Sequence, residues 1–312
     1  MNETSALGVT QPIDVVNVDA LLETINRGVD DQLAALDPAP TDEKTATALA
    51  TAQQGTSVGV VELPTDAYRV VRIPRHPRRL YFPEDETTLA PPALEAYRSL
   101  RTRILHAQAR RQFRTVAITS AAPNEGKTLT STNLALCCAQ LPQFPVLLID
   151  GDLRTHGASR CLECDEGPGL TEILSGEVSR EAAVVATDIP NLHFISAGEA
   201  MTPPPELLSG SPWVDFITWC RDNFKLVLVD CPPAPQLADF ELISAACERI
   251  LVVARTRITS KRALEKMLAQ MDSQKLLGIT LNDVKHYNRS YYSYYGSQKA
   301  KSDVRSQRRM VS

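Results

Sequence analysis

No stretch of the sequence reaches the roughly 18 consecutive apolar residues that a membrane-spanning helix requires, and no signal-peptide pattern opens it, so the chain is expected to be cytoplasmic. Cysteine is present but not organised. The seven cysteines are odd in number and irregular in spacing, which argues against a disulfide framework and fits reduced thiols. Cys161 and Cys164 form a single C-x-x-C, yet with no second pair and no histidine set at ligand spacing they argue against a zinc site. A dominant charge is also missing, since the net is only −4 at pH 7, but that balance conceals two opposed ends. Residues 1–66 hold eleven acids against two bases, and residues 283–312 hold seven bases against two acids. The two ends can attract each other, or the basic one can seek an acidic surface such as a membrane or a partner.

Aromatic residues are scarce, at 5%, which makes their distribution informative. Five of the eight tyrosines, Tyr287, Tyr291, Tyr292, Tyr294 and Tyr295, fall within nine residues. A buried tyrosine needs a partner for its hydroxyl, and the interleaved Asn288, Arg289, Ser290, Ser293 and Gly296 break both helical and strand periodicity. By composition alone this is a low-complexity tail. At the other end, Val18, Leu21, Leu22, Ile25, Val29, Leu33 and Leu36 recur at helical spacing and predict one amphipathic helix, suited to docking on its own domain or to binding a partner. Residues 39–58 read as a flexible linker, and Arg69, Arg72, Arg75, Arg78 and Arg79 as a solvated basic arm.

At 43% hydrophobic content the chain can bury one core of domain size. That core is expected between residues 91 and 284, behind an extension of 1–90 and ahead of a tail of 285–312. Apolar runs at 115–119, 146–149, 192–196, 225–229, 250–254 and 276–281 alternate with helical segments at 92–110, 127–140, 204–222, 238–247 and 259–272. Short strands without polar alternation are buried on both faces, and strand-helix alternation requires parallel crossovers. The expected fold is a doubly wound, mostly parallel α/β sheet with helices on both faces.

The first strand of that pattern runs into Ser120-Ala121-Ala122-Pro123-Asn124-Glu125-Gly126-Lys127-Thr128, followed by a helix. In this strand-loop-helix setting a G-K-T ending implies a polyphosphate cradle and makes the expected fold a P-loop NTPase. The backbone of Ala122, Pro123, Asn124, Glu125 and Gly126 and the helix start through Leu129 surround the phosphates, Lys127 reaches the β and γ oxygens, and the Thr128 hydroxyl ligates Mg²⁺. Asn124 stands at a tight position often filled by glycine, and asparagine best tolerates left-handed angles after glycine. Two more strands end in acids, at Asp150-Gly151-Asp152-Leu153-Arg154 and at Asp230. The carboxyl ends of strands beside such a loop face the bound nucleotide, so Asp150, Asp152 and Asp230 are expected around one Mg²⁺.

The set P-x-E-G-K-T, L-L-I-D-x-D-L-R and V-L-V-D-x-P-P resembles the bacterial tyrosine kinases of capsular and exopolysaccharide biosynthesis, over about residues 91–295. The resemblance implies an ATP- and Mg²⁺-dependent autokinase. In it Lys127, Asp150, Asp152 and Asp230 are catalytic, with Thr128, Asp150 and Asp230 on the metal, Asp230 through water. It makes Asp152 the group that orients or deprotonates the tyrosine hydroxyl, Arg154 a stabiliser of charge, and Asn282 a neighbour of the base. Glu95, Arg98 and Arg101 match the family's E-x-x-R-x-x-R helix, which implies contacts in a ring of subunits. Glu95 and Arg98 can also simply pair within the helix. The tyrosine cluster falls where the family keeps its phosphoacceptors, so Tyr287, Tyr291, Tyr292, Tyr294 and Tyr295 become expected acceptors of a neighbouring subunit. A separate transmembrane activator is implied as partner, holding the chain at the inner face of the membrane. Two other readings stand beside this one: a partition-type ATPase, which usually has a lysine where this chain has Ala122, and an inactive nucleotide-binding scaffold.

Overall fold

Runs such as V-L-L-I and L-V-L-V have no polar residue to turn toward water, so they are stable only inside a sheet covered on both faces. The structure, a computed structural model, describes residues 9–13, 69–74, 80–81, 92–164, 167–199, 204–236 and 238–284. Among the described residues nine strands form one sheet: β1 (Val9–Ile13), β2 (Val70–Val71), β3 (Thr115–Ser120), β4 (Val146–Asp150), β5 (Val185–Thr187), β6 (Leu192–Ile195), β7 (Leu226–Asp230), β8 (Arg249–Arg255) and β9 (Leu276–Val284), in the spatial order β1-β9-β8-β3-β7-β4-β6-β5-β2. Pairings are parallel except β1 with β9 and β5 with β6.

The helices are α1 (Pro92–Arg111), α2 (Lys127–Ala139), α3 (Gly157–Leu162), α4 (Leu170–Ser175), α5 (Arg180–Ala183), α6 (Pro204–Leu208), α7 (Ser211–Asn223), α8 (Ala238–Ala246) and α9 (Lys261–Gln270). The strand period of two sends Leu147, Ile149, Val227 and Val229 to one core with Trp213 and Phe216 of α7, Ile243 of α8 and Leu264 of α9. Val146, Leu148, Leu226 and Leu228 face the opposite core with Leu100 and Ile104 of α1 and Leu134 and Leu136 of α2. The expected two-faced, mostly parallel sheet is therefore present.

Three details depart from the sequence reading. The single helix expected over 204–222 is two, α6 and α7, because Gly210 is extended (φ −91°, ψ 171°) and Pro212 sits in the first turn of α7, where a missing N–H is tolerated. Strand β5 and helices α3, α4 and α5 are too short to show periodicity and were not anticipated. Within 1–90, β1 pairs along β9 with Val9 opposite Val284, and β2 pairs along β5. The predicted helix over 18–36, Arg75, Arg78, Arg79 and the tyrosine cluster lie outside the described residues. Arg69 and Arg72 are exposed, as a solvated arm requires, but Ile73 and Leu80 beside them are 0% and 1% exposed in the α1–α2 core. The Ile73 N–H also donates to Asp188 Oδ1 at 2.9 Å. Ile73→Ala should therefore lower unfolding free energy by about 2–5 kcal/mol, as for other buried isoleucines. Chemical denaturation would check this, and an unchanged midpoint would mean that the segment is only loosely applied.

Candidate active site

Asp150 and Asp230 are register partners at the carboxyl ends of adjacent strands β4 and β7, and both are 0% exposed. The loop between β3 and α2 lies above them. Asn124 has φ +63° and Gly126 φ +96°, so two left-handed residues close the turn, and asparagine occupies the position as its backbone tolerance suggested. Gly126 caps α2 without any side-chain hydrogen bond, and this leaves the first-turn N–H groups and the positive helix end directed at the loop. A Cβ on Gly126 would sit 2.0 Å from Asn282 Nδ2, which donates to the Glu125 carbonyl at 3.0 Å. Gly126→Ala, strained in φ and in collision with Asn282, should weaken nucleotide binding about tenfold or more. Titration with a fluorescent ADP measures this, and native affinity in the variant would contradict the packing.

The Glu125 carboxylate does not face the cradle. It is 0% exposed, and its oxygens accept the Ala122 N–H at 3.0 Å and the Thr259 hydroxyl at 2.5 Å. Burial pushes its pKa up against the pull of those bonds. Glu125 thus serves the loop as a brace, leaving its backbone N–H for a ligand. Ser120 closes the other side by donating to the Ala122 carbonyl at 2.8 Å. Pro123 is exposed on the outer turn, and Leu129 lies in the first turn of α2, its carbonyl accepting the Asn133 amide at 2.8 Å.

Lys127 Nζ lies 2.9 Å from Asp152 Oδ2. Burial works against the lysine charge, but Asp230, Asp152 and Asp150 outweigh it and raise the pKa. Burial likewise favours a neutral Asp152, yet Lys127 and Thr155 hold that carboxyl below its ordinary value. The Thr128 hydroxyl donates to Asp230 Oδ2 at 2.7 Å. Asp230 Oδ1 is buried with no hydrogen-bond partner among the described residues. Asp150 is already engaged: Oδ2 accepts both the N–H and the hydroxyl of Ser159 at 2.7 Å, and Oδ1 faces the Asp152 N–H at 3.3 Å. Desolvation pushes the Asp150 pKa up to about 6 and the Asp230 pKa up to about 7, and in Asp230 this overrides the opposing pull of Lys127.

The three acids expected around one metal lie near one another but do not form a ready set of ligands. Among the described residues no three His, Cys, Asp or Glu side chains form a metal-binding group. Ser159 draws Asp150 aside and Lys127 occupies Asp152. What remains, the Thr128 hydroxyl and the orphaned oxygen of Asp230, suits Mg²⁺, which takes few protein ligands and completes its shell with phosphate and water. The donor set fits that ion. Close approach of α3 shapes the same corner, since a Cβ on Gly157 would lie 2.9 Å from Thr128 Oγ1.

Arg154 is bidentate on Asp239 of α8 at 2.7 and 3.3 Å, and Asp152 also acts on its charge. Ser159, Arg255 and Thr259 were not anticipated. Arg255 alone carried a usable signal, because it ends a parallel strand on the side of the 120–128 loop.

Comparison with known proteins bears on this geometry. No family model matches the chain. It is 35% identical over 208 residues to the tyrosine-protein kinase YwqD of Bacillus subtilis, an alignment spanning 65% of this chain and 86% of that protein. To the tyrosine-protein kinase CpsD of Streptococcus agalactiae it is 31% identical over 212 residues, 91% of that protein. The chain belongs to the bacterial tyrosine-protein kinases. It spans only 27% of another relative, the tyrosine-protein kinase ptk of Acinetobacter johnsonii, at 35% identity. Its fold is similar to the kinase domain of the Escherichia coli tyrosine kinase ETK, with a TM-score of 0.60 and 25% identity over 71% of this chain and 92% of that one.

In this kinase the α1 residues expected at a subunit contact all have partners within the chain. Arg98 pairs with Glu95 at 2.5 Å, and Arg101 donates to the Cys137 carbonyl at 2.7 Å. No helix among the described residues is long and apolar enough to cross a membrane.

Proposed function

We propose that this kinase transfers the γ-phosphoryl group of ATP to tyrosines of its own C-terminal cluster, Tyr287, Tyr291, Tyr292, Tyr294 and Tyr295, on a neighbouring subunit, and so regulates capsule or exopolysaccharide production. The observation that carries the reading is the Lys127–Asp152 ion pair at 2.9 Å beside the P-loop, because it places a phosphate-binding cation against a carboxylate able to take a tyrosine proton. The loop N–H groups and Lys127 receive the β- and γ-phosphates. As Lys127 turns to those oxygens its hold on Asp152 weakens, and the carboxylate is left to accept the proton of a tyrosine hydroxyl whose ordinary pKa is about 10. The phenolic oxygen bonds to the γ-phosphorus, the bond from that phosphorus to the ADP oxygen breaks, and the proton passes to Asp152. Thr128 and Asp230 would hold Mg²⁺, which would supply neutralisation of phosphate charge, and Asp150 lies beside Asp230.

The seven bases of residues 283–312 favour entry of that segment into an anionic site. Each phosphate added carries about −1.5 to −2 charges, so a few events reverse the segment's sign and release it. Assembly through the Glu95-Arg98-Arg101 face of α1 would bring acceptor and site together. A separate membrane-bound activator, met through residues 1–90, would hold the kinase at the inner face of the membrane.

The test is incubation with ATP and Mg²⁺, with and without the activator, followed by mass spectrometry of residues 285–312. Phosphotyrosine in the cluster supports the proposal. ADP release without phosphotyrosine would support a partition-type ATPase, and nucleotide binding with neither would support a scaffold.

A further inference from the structure

The conformation of the nucleotide loop is held from outside by the ends of β8 and β9. Arg255, the last residue of β8, donates from Nη1 to the Asn124 carbonyl at 3.2 Å and from Nε and Nη2 to Asp283 Oδ2, each at 3.1 Å. One residue before Asp283, the Asn282 amide holds the next loop carbonyl, that of Glu125, at 3.0 Å. Two consecutive loop carbonyls are therefore drawn toward β8 and β9. In a trans peptide the carbonyl and the following N–H point in opposite directions. Gripping the carbonyls of residues 124 and 125 turns the N–H groups of Glu125 and Gly126 away from β9, to the side from which a phosphate is approached.

The grip is needed because the turn is strained. Asn124 and Asp283 are both non-glycine residues in the left-handed region, at φ +63° and +60°. Such residues persist only where their surroundings over-determine them. Arg255 is the side chain that touches both. Its own backbone is fixed by Thr259, whose hydroxyl accepts the Arg255 N–H at 2.7 Å and donates to Glu125. Of the side chains in this constellation only the guanidinium has donors in a fixed fork able to serve a carbonyl and a carboxylate together.

We propose that Arg255, oriented by Asp283, is a positioning residue for the nucleotide loop, setting phosphate affinity by locking the Asn124 peptide. The inference rests on the reading of residues 120–128 as the nucleotide site, and it concerns binding and not transfer. Fluorescent ADP therefore serves as the probe, titrated into the full chain with Mg²⁺. Arg255→Ala should weaken binding about tenfold, the scale of one lost charge-assisted hydrogen bond, with Asp283→Asn smaller in the same direction. Millimolar guanidinium should restore part of the Arg255→Ala loss, which a variant that had merely lost packing would not show. In turnover assays the KM for ATP should rise while kcat stays within about twofold, the mark of a uniform binding contribution. Native affinity in a folded Arg255→Ala, or a loss that guanidinium does not relieve, would overturn the proposal. If Arg255→Ala does not fold, Arg255→Lys and Asp283→Asn decide, and native affinity in both overturns it. A wild-type chain that binds no nucleotide refutes the nucleotide site itself.

Discussion

Lys127→Met is expected to reduce tyrosine phosphorylation by about two to three orders of magnitude, the loss typical when a preorganised group on transferring charge is removed from an enclosed site. The substitution has a second effect that must be separated from the first. Lys127 and Asp152 are buried together, with side chains 10% and 2% exposed, so removing the cation leaves a carboxylate without its partner. Breaking a buried pair on one side costs about 3–5 kcal/mol. The double variant Lys127→Met/Asp152→Asn removes both charges and should recover most of that stability without any activity. Phosphotyrosine on residues 287–295 followed by mass spectrometry, with thermal melting alongside, reads both effects. Activity retained in Lys127→Met would transfer the phosphate-binding role to another cation.

Asp230→Asn should act in opposite directions on activity and stability. Asp230 is 0% exposed, and burial has pushed its pKa up to about 7. A carboxyl whose folded value exceeds its unfolded value contributes stability that is present below pH ~4 and is lost as pH rises through the folded value, here between about 4 and 7. At pH 8 the nucleotide-free protein therefore holds an ionised, desolvated carboxylate that it would be more stable without. Asparagine keeps an oxygen to accept the Thr128 hydroxyl and carries no charge. The expected result is a higher melting temperature at pH 8, about 2–4 °C for each kcal/mol relieved, with the difference shrinking toward pH 5. Phosphotransfer should fall about a hundredfold or more, because the charged oxygen that suits Mg²⁺ is gone. A variant less stable than the parent at pH 8 would show that the ionised carboxylate is well paired after all. Such opposition of stability and activity is common where a site holds its charge ready for a ligand.

The part of the site legible in the sequence was the part made of local requirements. Asn124 announced itself because a tight loop needs a left-handed residue, and it has φ +63°. Asp150 and Asp230 were found because each ends an apolar run, and strand ends beside the loop converge. The segment 204–222 misled because hydrophobic periodicity continued across Gly210, whose extended backbone breaks the helix. Ser159, which engages Asp150 with two bonds, belongs to a six-residue helix with no pattern of its own. Thr259 braces Glu125 from 134 residues away, a relation that neither motif spacing nor periodicity can express.

The sequence by itself determined the α/β class, the strand-loop-helix proposed to cradle phosphate, and the acids at the strand ends, because strand burial, turn geometry and charge placement are properties of short segments. Only the tertiary structure decided how those acids divide their work. Lys127 takes Asp152, Ser159 takes Asp150, and Asp230 keeps one buried oxygen without a partner among the described residues. Tertiary contact also brought Ile73 and Leu80 of the basic arm into the core and set Arg255 against Asn124. Those outcomes depend on which neighbour each side chain meets when the strands assemble, and a buried charge accepts whichever partner packing sets within reach.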